Sequence, residues 1–572
     1  MRRGAVAGAA AGSHDPRRRM TGLRAGPVAE NGEVFTRRWV VDLILDLCGY
    51  TADRDLARLQ VVEPACGAGA FLGPIVDRLI VSCERFDRDL LDAREAIRAF
   101  DLLPGAVEAS RRLIEDRLVG RGADPADARR LAESWARQAD FLLTDVGDLE
   151  ADHVIGNPPY IRLENVPPDR NAAYREACPA MRGRSDIFVG FIERGLRMLR
   201  PGGALGFIVA DRWMRNQYGA ALRKLVEGEF AVEAVIEMHD VEAFEEDVSA
   251  YPAITLIRRA EQRRALVAST TGEFGEDGAD TLREWAGRVS TERLEAPSVR
   301  AAWLTGWPRA GGSWPWGDPE HLALIAELEG RLPPLQDPDT ETHVGIGLAT
   351  GADDIYLTAD PHLVEPERLL PMAMAKDLAG GEVRWSGTYL VNPWSDDGLV
   401  DLGDWPRLGA YLERHGDRVR MRHTARKSPS QWHRTIDRVT PGLLKRPKLL
   451  LPEMKATAHP VLDEGRLYPH HNLYHITSAG WDLEVLGGLL LSDLTNLFVG
   501  AYCVKMRSGS YRFQAQYLRR VRVPRLDQVG AADRRALARA FRDRDVEAAT
   551  AVAFRLCGAQ SPSGASPGAA SI

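Results

Sequence analysis

The chain has 572 residues, which is too long for one hydrophobic core and predicts two or three domains. Hydrophobic residues make up 45% and charged residues 27% of the sequence, a composition typical of globular proteins. No run of about 18 uninterrupted apolar residues indicates a membrane span. The six cysteines form no CxxC pair and no histidine cluster has zinc-finger spacing, so we expect reduced, buried thiols, no metal site and a cytoplasmic protein.

The net charge of −7 does not by itself suggest a nucleic-acid binder, but the charges are unevenly distributed. Residues 411–450 contain 11 Lys or Arg against 3 Asp or Glu, and residues 501–525 contain 7 basic residues and no acid. Blocks of this kind are usually solvated surfaces. Two blocks in the same half of the chain favour a phosphate-binding surface there.

The first half of the chain alternates between predicted strands and helices. Thr36 is placed to cap a helix whose apolar residues share one face. Four strands are then expected, one ending at Val62 and the others at residues 97–100, 141–143 and 153–155. The next elements are an amphipathic helix at 187–200, a strand at 204–210, a helix near 220–226, and strands near 232–236 and 254–257. Such alternation of helices with Val- and Ile-rich strands predicts a doubly wound α/β sheet.

The pattern weakens after about residue 263, where Gly, Pro and Trp become frequent. Short strands, turns and basic loops follow, which predict an α+β or mostly β second domain. We therefore expect a disordered leader (1–26), an α/β domain (27–262), a connecting region (263–340), the second domain (341–526), and a C-terminal helical segment with a disordered tail (527–572).

A glycine-containing loop follows the first predicted strand, with the sequence VEPACGAG. The small residues Ala65, Gly67 and Gly69 allow close approach of a cofactor to the backbone at the mouth of a parallel sheet. Glu63 precedes this loop, and a carboxylate there can hold the ammonium group of an amino acid such as the methionine portion of S-adenosyl-L-methionine. The absence of GxGxxG and of a Walker lysine argues against a dinucleotide or ATP.

Two further acids are candidates for cofactor contacts. Asp101 ends the second strand and can accept hydrogen bonds from both hydroxyls of a ribose. Asp140 and Phe141 are expected at the start of the third strand, where the carboxylate can accept from an adenine amino group while the ring packs on the base. Asp145 is a lower-ranked alternative to Asp140.

The sequence Asn157-Pro158-Pro159-Tyr160 directly follows the fourth predicted strand. The two prolines restrict the loop so that the Asn157 side-chain oxygen and the Pro158 carbonyl can face one point. Both can accept hydrogen bonds from a single planar NH₂ group, whose nitrogen can then attack an electrophilic methyl group in line. Such catalysis depends on positioning and electrostatics. Tyr160 offers a face on which a planar substrate can stack.

Phe244 lies ahead of the last predicted strand of the first domain. An isolated phenylalanine is more often a core residue, but the acidic run around Phe244 indicates an exposed loop. A second aromatic ring opposite Tyr160 would hold a flipped base between two faces.

Together these motifs resemble the gamma-class, TaqI-type N6-adenine DNA methyltransferases of restriction–modification systems. The resemblance covers about residues 31–258, in the family's order: FTRRWVVDLI, VVEPACGAG, FDLLPGA, ADFLL, GNPPY and EAFEEDVSAYPAITLI. It implies a Rossmann-like S-adenosylmethionine-dependent methyltransferase sheet followed by a DNA target-recognition domain. Arg37 departs from the family, which commonly has Pro after the Thr.

The resemblance also implies roles for individual residues. The S-adenosyl-L-methionine contacts would come from Thr36, Glu63, Ala65, Gly67, Gly69, Asp101, Asp140, Phe141 and Asn157. The adenine would be held by Asn157, Pro158, Pro159, Tyr160 and Phe244.

In the second domain, VGIGLATG at 344–351, KRPK at 445–448 and GSYR at 509–512 resemble landmarks of the family's recognition region. The implied partner is double-stranded DNA in the nucleoid of a prokaryote, with no membrane, and a separate restriction endonuclease or defence subunit is a further candidate.

Other functions remain open at this point. Asn-Pro-Pro-Tyr also occurs in RNA adenine and protein glutamine methyltransferases, although these generally lack a C-terminal region of this size. Asp437, Glu453 and Lys455 loosely match the D…ExK metal site of many nucleases. A non-catalytic DNA-specificity module would retain the cofactor fold without its activity.

Overall fold

A computed structural model describes residues 35–147, 149–246, 251–288, 293–307, 312–505 and 511–561. The predicted leader (1–26), the predicted tail from residue 562 onward, Asp247 and the first two residues of GSYR lie outside these ranges.

One sheet dominates the first half of the chain. Its strands are β1 (Val61–Glu63), β2 (Ile97–Asp101), β3 (Ala136–Gln138), β4 (Ala151–Gly156), β5 (Leu199–Ala210), β6 (Ala231–Glu237), β7 (Pro252–Arg258), β8 (Ala265–Thr270), β9 (Leu294–Glu295) and β10 (Val299–Leu304). The helices around it are α1 (Arg38–Leu47), α2 (Leu72–Phe86), α3 (Pro104–Gly120), α4 (Pro125–Trp135), α5 (Pro168–Ala177), α6 (Phe188–Met198), α7 (Ala220–Glu229), α8 (Glu276–Gly287) and α9 (Pro319–Arg331).

The strand order is β3-β2-β1-β4-β5-β7-β6-β8-β10-β9. Strands β3 to β5 pair in parallel, and β7 runs antiparallel between β5 and β6. The chain moves outward from β1 to β3 and then returns to the other side of β1 as β4. This reversal is the place where open α/β sheets bind ligands, because the loops after β1 and β4 diverge there. The predicted doubly wound sheet is confirmed.

Packing brings the loops after β1 and β4 into contact. Every residue of β1 and β4 is buried, as expected for central strands with helices on both faces. A Cβ atom on Gly156, at the end of β4, would lie 3.3 Å from Pro64 Cδ. The absence of a side chain at Gly156 therefore lets the two loops meet.

Two local predictions in this region are wrong. The third strand is β3, and the predicted strand at 141–143 is a turn, because the Asp140 carboxylate accepts from the Leu142 amide at 3.1 Å and bends the chain there. Thr36 does not cap α1: the N-cap residue is Arg37, which makes no side-chain capping bond, and Thr36 instead forms an antiparallel bridge with Phe244.

The sheet continues past residue 262, where we expected the first domain to end. Strand β8 pairs in parallel with β6, and β10 pairs antiparallel with β8. We therefore propose that the first folding unit extends to about residue 304 and that the connecting region is shorter than predicted.

The second region contains short strands and several helices. The strands are β11 (His343–Ile346), β12 (Leu357–Thr358), β13 (Leu369–Ala373), β14 (Tyr389–Val391), β15 (Trp394–Ser395), β16 (Gly398–Leu399), β17 (Lys448–Pro452), β18 (Met454–Lys455), β19 (Val461–Asp463), β20 (Tyr468–Pro469), β21 (Leu473–Thr477), β22 (Val504–Lys505) and β23 (Tyr511–Arg512). The helices are α10 (Asp353–Tyr356), α11 (Pro406–Arg414), α12 (Gly416–Met421), α13 (His423–Lys427), α14 (Leu483–Leu491), α15 (Asp493–Tyr502), α16 (Ala515–Leu518), α17 (Ala531–Asp543) and α18 (Val546–Leu556).

These strands form small sheets, of which two have four strands: β11-β21-β17-β19 and β12-β14-β13-β20. The predicted α+β architecture is confirmed. One buried apolar cluster runs from α6 to β17, β21 and α14, so the two regions share a core. The connecting segment has polar contacts with both regions, because the Ser313 hydroxyl donates to the Arg215 carbonyl at 2.8 Å and lies 3.1 Å from the Tyr517 hydroxyl.

No single helix in the described ranges is long and apolar enough to cross a membrane. Helices α14 and α15 together meet the length and composition criteria, but they are bent by 60° and most of their residues are buried in the shared core.

Candidate active site

A cavity of about 510 Å³ lies where β1, β2 and β4 end. Its walls come from the loops after these strands, from the segment before α1, and from α5 and α6. It brings together the predicted residues Thr36, Glu63, Ala65, Gly67, Asp101, Asp140, Phe141, Asn157, Pro159 and Tyr160. Gly69, Pro158 and Phe244 do not line it.

Glu63 is a buried carboxylate at the wall of this cavity, with a residue exposure of 2%. Its Oε2 atom has no hydrogen-bond partner among the described residues. Burial, together with the nearby charge of Asp101, raises the Glu63 pKa well above its ordinary value. An unpartnered buried carboxylate fits a cationic ligand group, and the ammonium of an amino acid has the required charge and donors.

Asp101 ties the end of β2 to the glycine loop. Its Oδ2 accepts from the Gly67 amide at 2.9 Å, and its Oδ1 accepts from the Leu103 amide at 2.8 Å. Each carboxylate oxygen can accept a second bond, so contacts to ribose hydroxyls are compatible with this arrangement. Gly67 and Gly69 have φ values of +51° and +94°, a backbone region that favours glycine. Gly69 does not line the cavity, so its role is to allow the turn of the loop.

Asp140 and Phe141 lie in the turn after β3 and both face the cavity. The Tyr174 hydroxyl donates to Asp140 Oδ2 at 2.8 Å, and burial raises the Tyr174 pKa so that the phenol remains a donor. The Phe141 ring is stacked on Phe191 with centroids 5.4 Å apart. This corner therefore combines a fixed carboxylate with aromatic surfaces, as a purine site requires.

Asn157 lines the cavity and directly follows β4. Its Nδ2 atom donates to the Thr36 hydroxyl at 3.2 Å. Thr36 was predicted as a cofactor contact. It lines the cavity, and it also contacts the predicted catalytic side chain.

Tyr160 and Phe244 are adjacent, with ring centroids 6.3 Å apart, but the rings are inclined at 81°. A base held between two parallel rings needs them face to face, so this structure shows an edge-to-face pair. The Tyr160 hydroxyl donates to the Ile208 carbonyl at 3.3 Å, and burial raises its pKa. The segment around Phe244 is a loop, as predicted, but Phe244 itself is 7% exposed and packs in the core, where an exposed position was predicted.

Sequence reasoning missed several lining residues: Phe35, Arg170, Tyr174 and Phe191. Arg170 and Tyr174 belong to α5, which has no clear apolar periodicity and no motif. Arg170 lies 3.9 Å from Asp140, so this helix adds a cation and a phenol to the purine corner. The position of α5 directly after NPPY is the signal that could have found them.

The basic blocks of the second region are partly internal. Lys448 is fully buried and paired with Asp463 at 2.7 Å, and Arg422 donates to four backbone carbonyls. Lys445 and Arg446 are exposed on the turn just before β17. Fewer cations of these blocks are therefore available to bind phosphate than the sequence indicated.

Two residues of the loose nuclease pattern, Asp437 and Glu453, make separate contacts within the protein. Asp437 accepts from the Ala349 amide, and Glu453 pairs with Arg512 at 2.9 Å. Among the described residues, one group with potential metal-ligand geometry exists, formed by Asp353, His470 and His471, in which the Asp353–His470 distance of 3.2 Å is that of a hydrogen bond. All six cysteines are buried and unpaired, as predicted.

The parallel sheet, the glycine loop with its unpartnered acid and the Asn-Pro-Pro-Tyr loop at one cavity define an S-adenosyl-L-methionine-dependent methyltransferase. Comparison with known proteins assigns the family. Residues 105–244 match the Eco57I restriction-modification methylase model.

The chain is 43% identical to type II methyltransferase M.PaeR7I of Pseudomonas aeruginosa over 93% of this chain and 92% of that protein. It is 41% identical to M.XhoI of Xanthomonas vasicola over 92% and 97%, and 37% identical to M.BstVI of Geobacillus stearothermophilus over 86% and 90%. The chain belongs to this family of type II DNA methyltransferases, the modification components of restriction–modification systems.

Proposed function

We propose that this chain transfers a methyl group from S-adenosyl-L-methionine to N6 of an adenine flipped out of double-stranded DNA. The observation that carries the proposal is that Asn157 shares one cavity with Glu63 and the purine corner at Asp140. This arrangement supports a methyl donor on one side of the cavity and a planar amine on the other.

The proposed catalytic groups act by positioning the amine. The Asn157 side-chain oxygen accepts from one N–H bond of the adenine amino group. The Pro158 carbonyl accepts from the other, an assignment that rests on the NPPY sequence because Pro158 does not line the cavity in this structure. Together they direct the nitrogen lone pair out of the ring plane. The bound cofactor supplies an electrophilic methyl group. The N–C bond forms as the S–C bond breaks, and the nitrogen then loses one proton to solvent, leaving N6-methyladenine. The buried Tyr160 phenol keeps its proton and provides a stacking surface.

The cofactor contacts are assigned by charge and location. Glu63 would hold the ammonium group, because its buried carboxylate lacks a partner among the described residues. Asp101 would accept from the ribose hydroxyls beside the glycine loop. Asp140 would accept from the adenine amino group, with Phe141 and Tyr174 packed around the ring.

We assign target recognition to the region after about residue 341, in which Lys445 and Arg446 are exposed on a fixed turn. Cations on such a surface neutralise DNA phosphates and set the register of the duplex. Because M.PaeR7I and M.XhoI carry the name type II methyltransferase, we also propose that a separate restriction endonuclease acts on the same DNA site.

The deciding experiment is modification-sensitive sequencing of DNA from a methylation-free host that expresses this chain or the Asn157→Ala variant. We expect N6-methyladenine at one defined sequence and a loss of at least about 10²–10³-fold in transfer rate for the variant, because a preorganised hydrogen-bonding group is removed. S-adenosyl-L-methionine affinity of the variant, measured by calorimetry, should remain near that of the wild type.

Three results would contradict the proposal. Methylation of cytosine would show that adenine is not the target base. Methylation of RNA or of protein glutamine, without any DNA mark, would show that DNA is not the methyl acceptor. A folded chain that binds no S-adenosyl-L-methionine would instead favour a non-catalytic specificity module.

A further inference from the structure

The segment Phe35–Arg37 runs antiparallel to the chain around Phe244. The Arg37 amide donates to the Ala243 carbonyl at 3.0 Å, and the Glu245 amide donates to the Phe35 carbonyl at 2.9 Å. Thr36 and Phe244 form the bridge between these two bonds. A short stretch before α1 is therefore fixed to the loop that carries the predicted base-stacking ring.

The same segment touches the predicted catalytic side chain. Thr36 is 4% exposed, and its hydroxyl accepts from Asn157 Nδ2 at 3.2 Å. A carboxamide has two nearly isosteric ends, and it can be useful as an acceptor only if its oxygen is on the substrate side. In this structure the Asn157 nitrogen faces the Thr36 hydroxyl, so the side-chain oxygen lies on the other side of the group.

Arg37 adds a second attachment to the loop. Its Nε donates to the Phe244 carbonyl at 3.0 Å, and its Nη2 donates to Glu242 at 3.1 Å. The Arg37 backbone is extended, with φ −62° and ψ 145°, so the residue can face the loop while the next residue begins α1. The side chain thus reaches the backbone of the stacking residue without entering the cavity.

We infer that Phe35–Arg37 is a positioning strap: the Thr36 hydroxyl orients the Asn157 carboxamide, and the Arg37 guanidinium holds the Phe244 loop. The inference rests on the proposed function, in which Asn157 accepts from the adenine, and on the sequence prediction that Phe244 stacks on the same base. Neither strap side chain contacts the reacting atoms in this account, so both are positioning residues. One stretch of chain then aligns the acceptor group and the base-capture ring with each other.

The first test compares Thr36→Val with Thr36→Ser. Valine keeps the volume and the backbone bridge but removes the hydroxyl, whereas serine keeps the hydroxyl. At saturating S-adenosyl-L-methionine, we expect the single-turnover methylation rate to fall about five- to tenfold in Thr36→Val, the effect of losing one neutral hydrogen bond, and to recover in Thr36→Ser. The dissociation constant for S-adenosyl-L-methionine should change less than about twofold in Thr36→Val.

The opposite pattern would overturn the Thr36 assignment. A weakened cofactor affinity with an unchanged single-turnover rate would make Thr36 a cofactor ligand only. A wild-type enzyme that methylates adenine while Thr36→Val is equally fast would refute the strap and leave the proposed function intact. A wild-type enzyme that marks no adenine refutes the proposed function itself.

The second test compares Arg37→Ala with Arg38→Ala in a duplex that carries 2-aminopurine at the methylated position. Arg38 is the matched control, because it pairs with Asp42 and Asp77 and has no hydrogen bond or ion pair with the described residues of the Phe244 loop. We expect the equilibrium for base extrusion to fall about two- to fivefold in Arg37→Ala and to stay at the wild-type value in Arg38→Ala. Equal fluorescence in all three proteins would overturn the Arg37 assignment, provided that Phe244→Ala lowers the signal.

Discussion

The catalytic sheet and the β11-β21-β17-β19 sheet each bury an ionisable side chain, and the two side chains differ in their partners. Glu63, the last residue of β1, has an oxygen without a partner among the described residues. Lys448, at the start of β17, lies within 3.2 Å of Asp463 and the carbonyls of Leu443, Leu444 and Arg446.

This difference separates two uses of a buried charge. A charge removed from water must be compensated, or the fold is destabilised. Lys448 is compensated within the chain and so belongs to the architecture of the KRPK turn. Glu63 lacks that compensation on the cavity side, which indicates that a ligand completes it. The following predictions test that contrast, in order of decreasing effect.

Removing Lys448 should have the largest effect on folding. We expect Lys448→Met to lower the free energy of unfolding by about 3–5 kcal/mol, because Asp463 is left buried without its cation. Urea denaturation would measure the change. The double variant Lys448→Met/Asp463→Asn should recover much of the loss, and a single variant as stable as the wild type would show that the pair is not the required compensation.

Removing the Glu63 charge should instead affect the ligand. We expect Glu63→Gln to weaken S-adenosyl-L-methionine binding by about 10- to 100-fold, the contribution of a charge-assisted hydrogen bond. Unfolding of the cofactor-free variant by urea should show no loss of stability, since the amide is neutral and carries no desolvation penalty of an ionised group. A large loss of stability with unchanged affinity would place Glu63 in the same class as Lys448.

Proton linkage gives a finer test of Glu63. Its raised pKa means that the folded, cofactor-free protein holds a proton that the unfolded chain releases, so the Glu63 contribution to stability falls as pH rises from the ordinary carboxyl range through the raised pKa. A bound ammonium favours the carboxylate, so cofactor binding should release protons and strengthen as pH rises across that window.

Calorimetry in two buffers of different ionisation enthalpy, near pH 6, would count these protons while the cofactor ammonium remains charged. The release should disappear in Glu63→Gln. Equal release by the variant and the wild type would assign it to another group.

The smallest effect concerns the turn that Lys448 holds in place. We expect Lys445→Ala/Arg446→Ala to reduce the slope of log affinity for DNA against log salt by about 2, because two phosphate contacts are lost. The control is Arg535→Ala/Arg539→Ala, two exposed cations on α17. Equal slopes for the two variants would show that the turn does not contact the backbone.

The sequence predicted the parts of the site that are local in the chain. Glu63 and Asp101 end their strands and Asn157 follows the next one, and parallel strands end at one edge, so their convergence could be expected. The strand at 141–143 was predicted wrongly, since an apolar run does not reveal that Asp140 turns the chain through its own side chain.

Tertiary contacts could not be read in this way. Tyr174 reaches Asp140 only because α5 folds back over the cavity, and Lys448 reads in sequence as one more surface cation of the KRPK block. The strands β8 and β10 were missed because their segment lacks a clear alternation of apolar and polar residues. Their place in the sheet depends on tertiary pairing, of β8 with β6 and of β10 with β8.

Under the proposed assignment of target recognition to the second region, the shared core constrains how new target sequences arise. Because the apolar cluster that supports α6 also contains residues of β17, β21 and α14, the second region is not a detachable module. Grafting it whole from a relative would require both halves of that core to match, including the Ser313–Tyr517 seam. Evolutionary diversification and protein engineering alike should therefore proceed by exchanging surface loops on a retained scaffold, with the buried seam left unchanged.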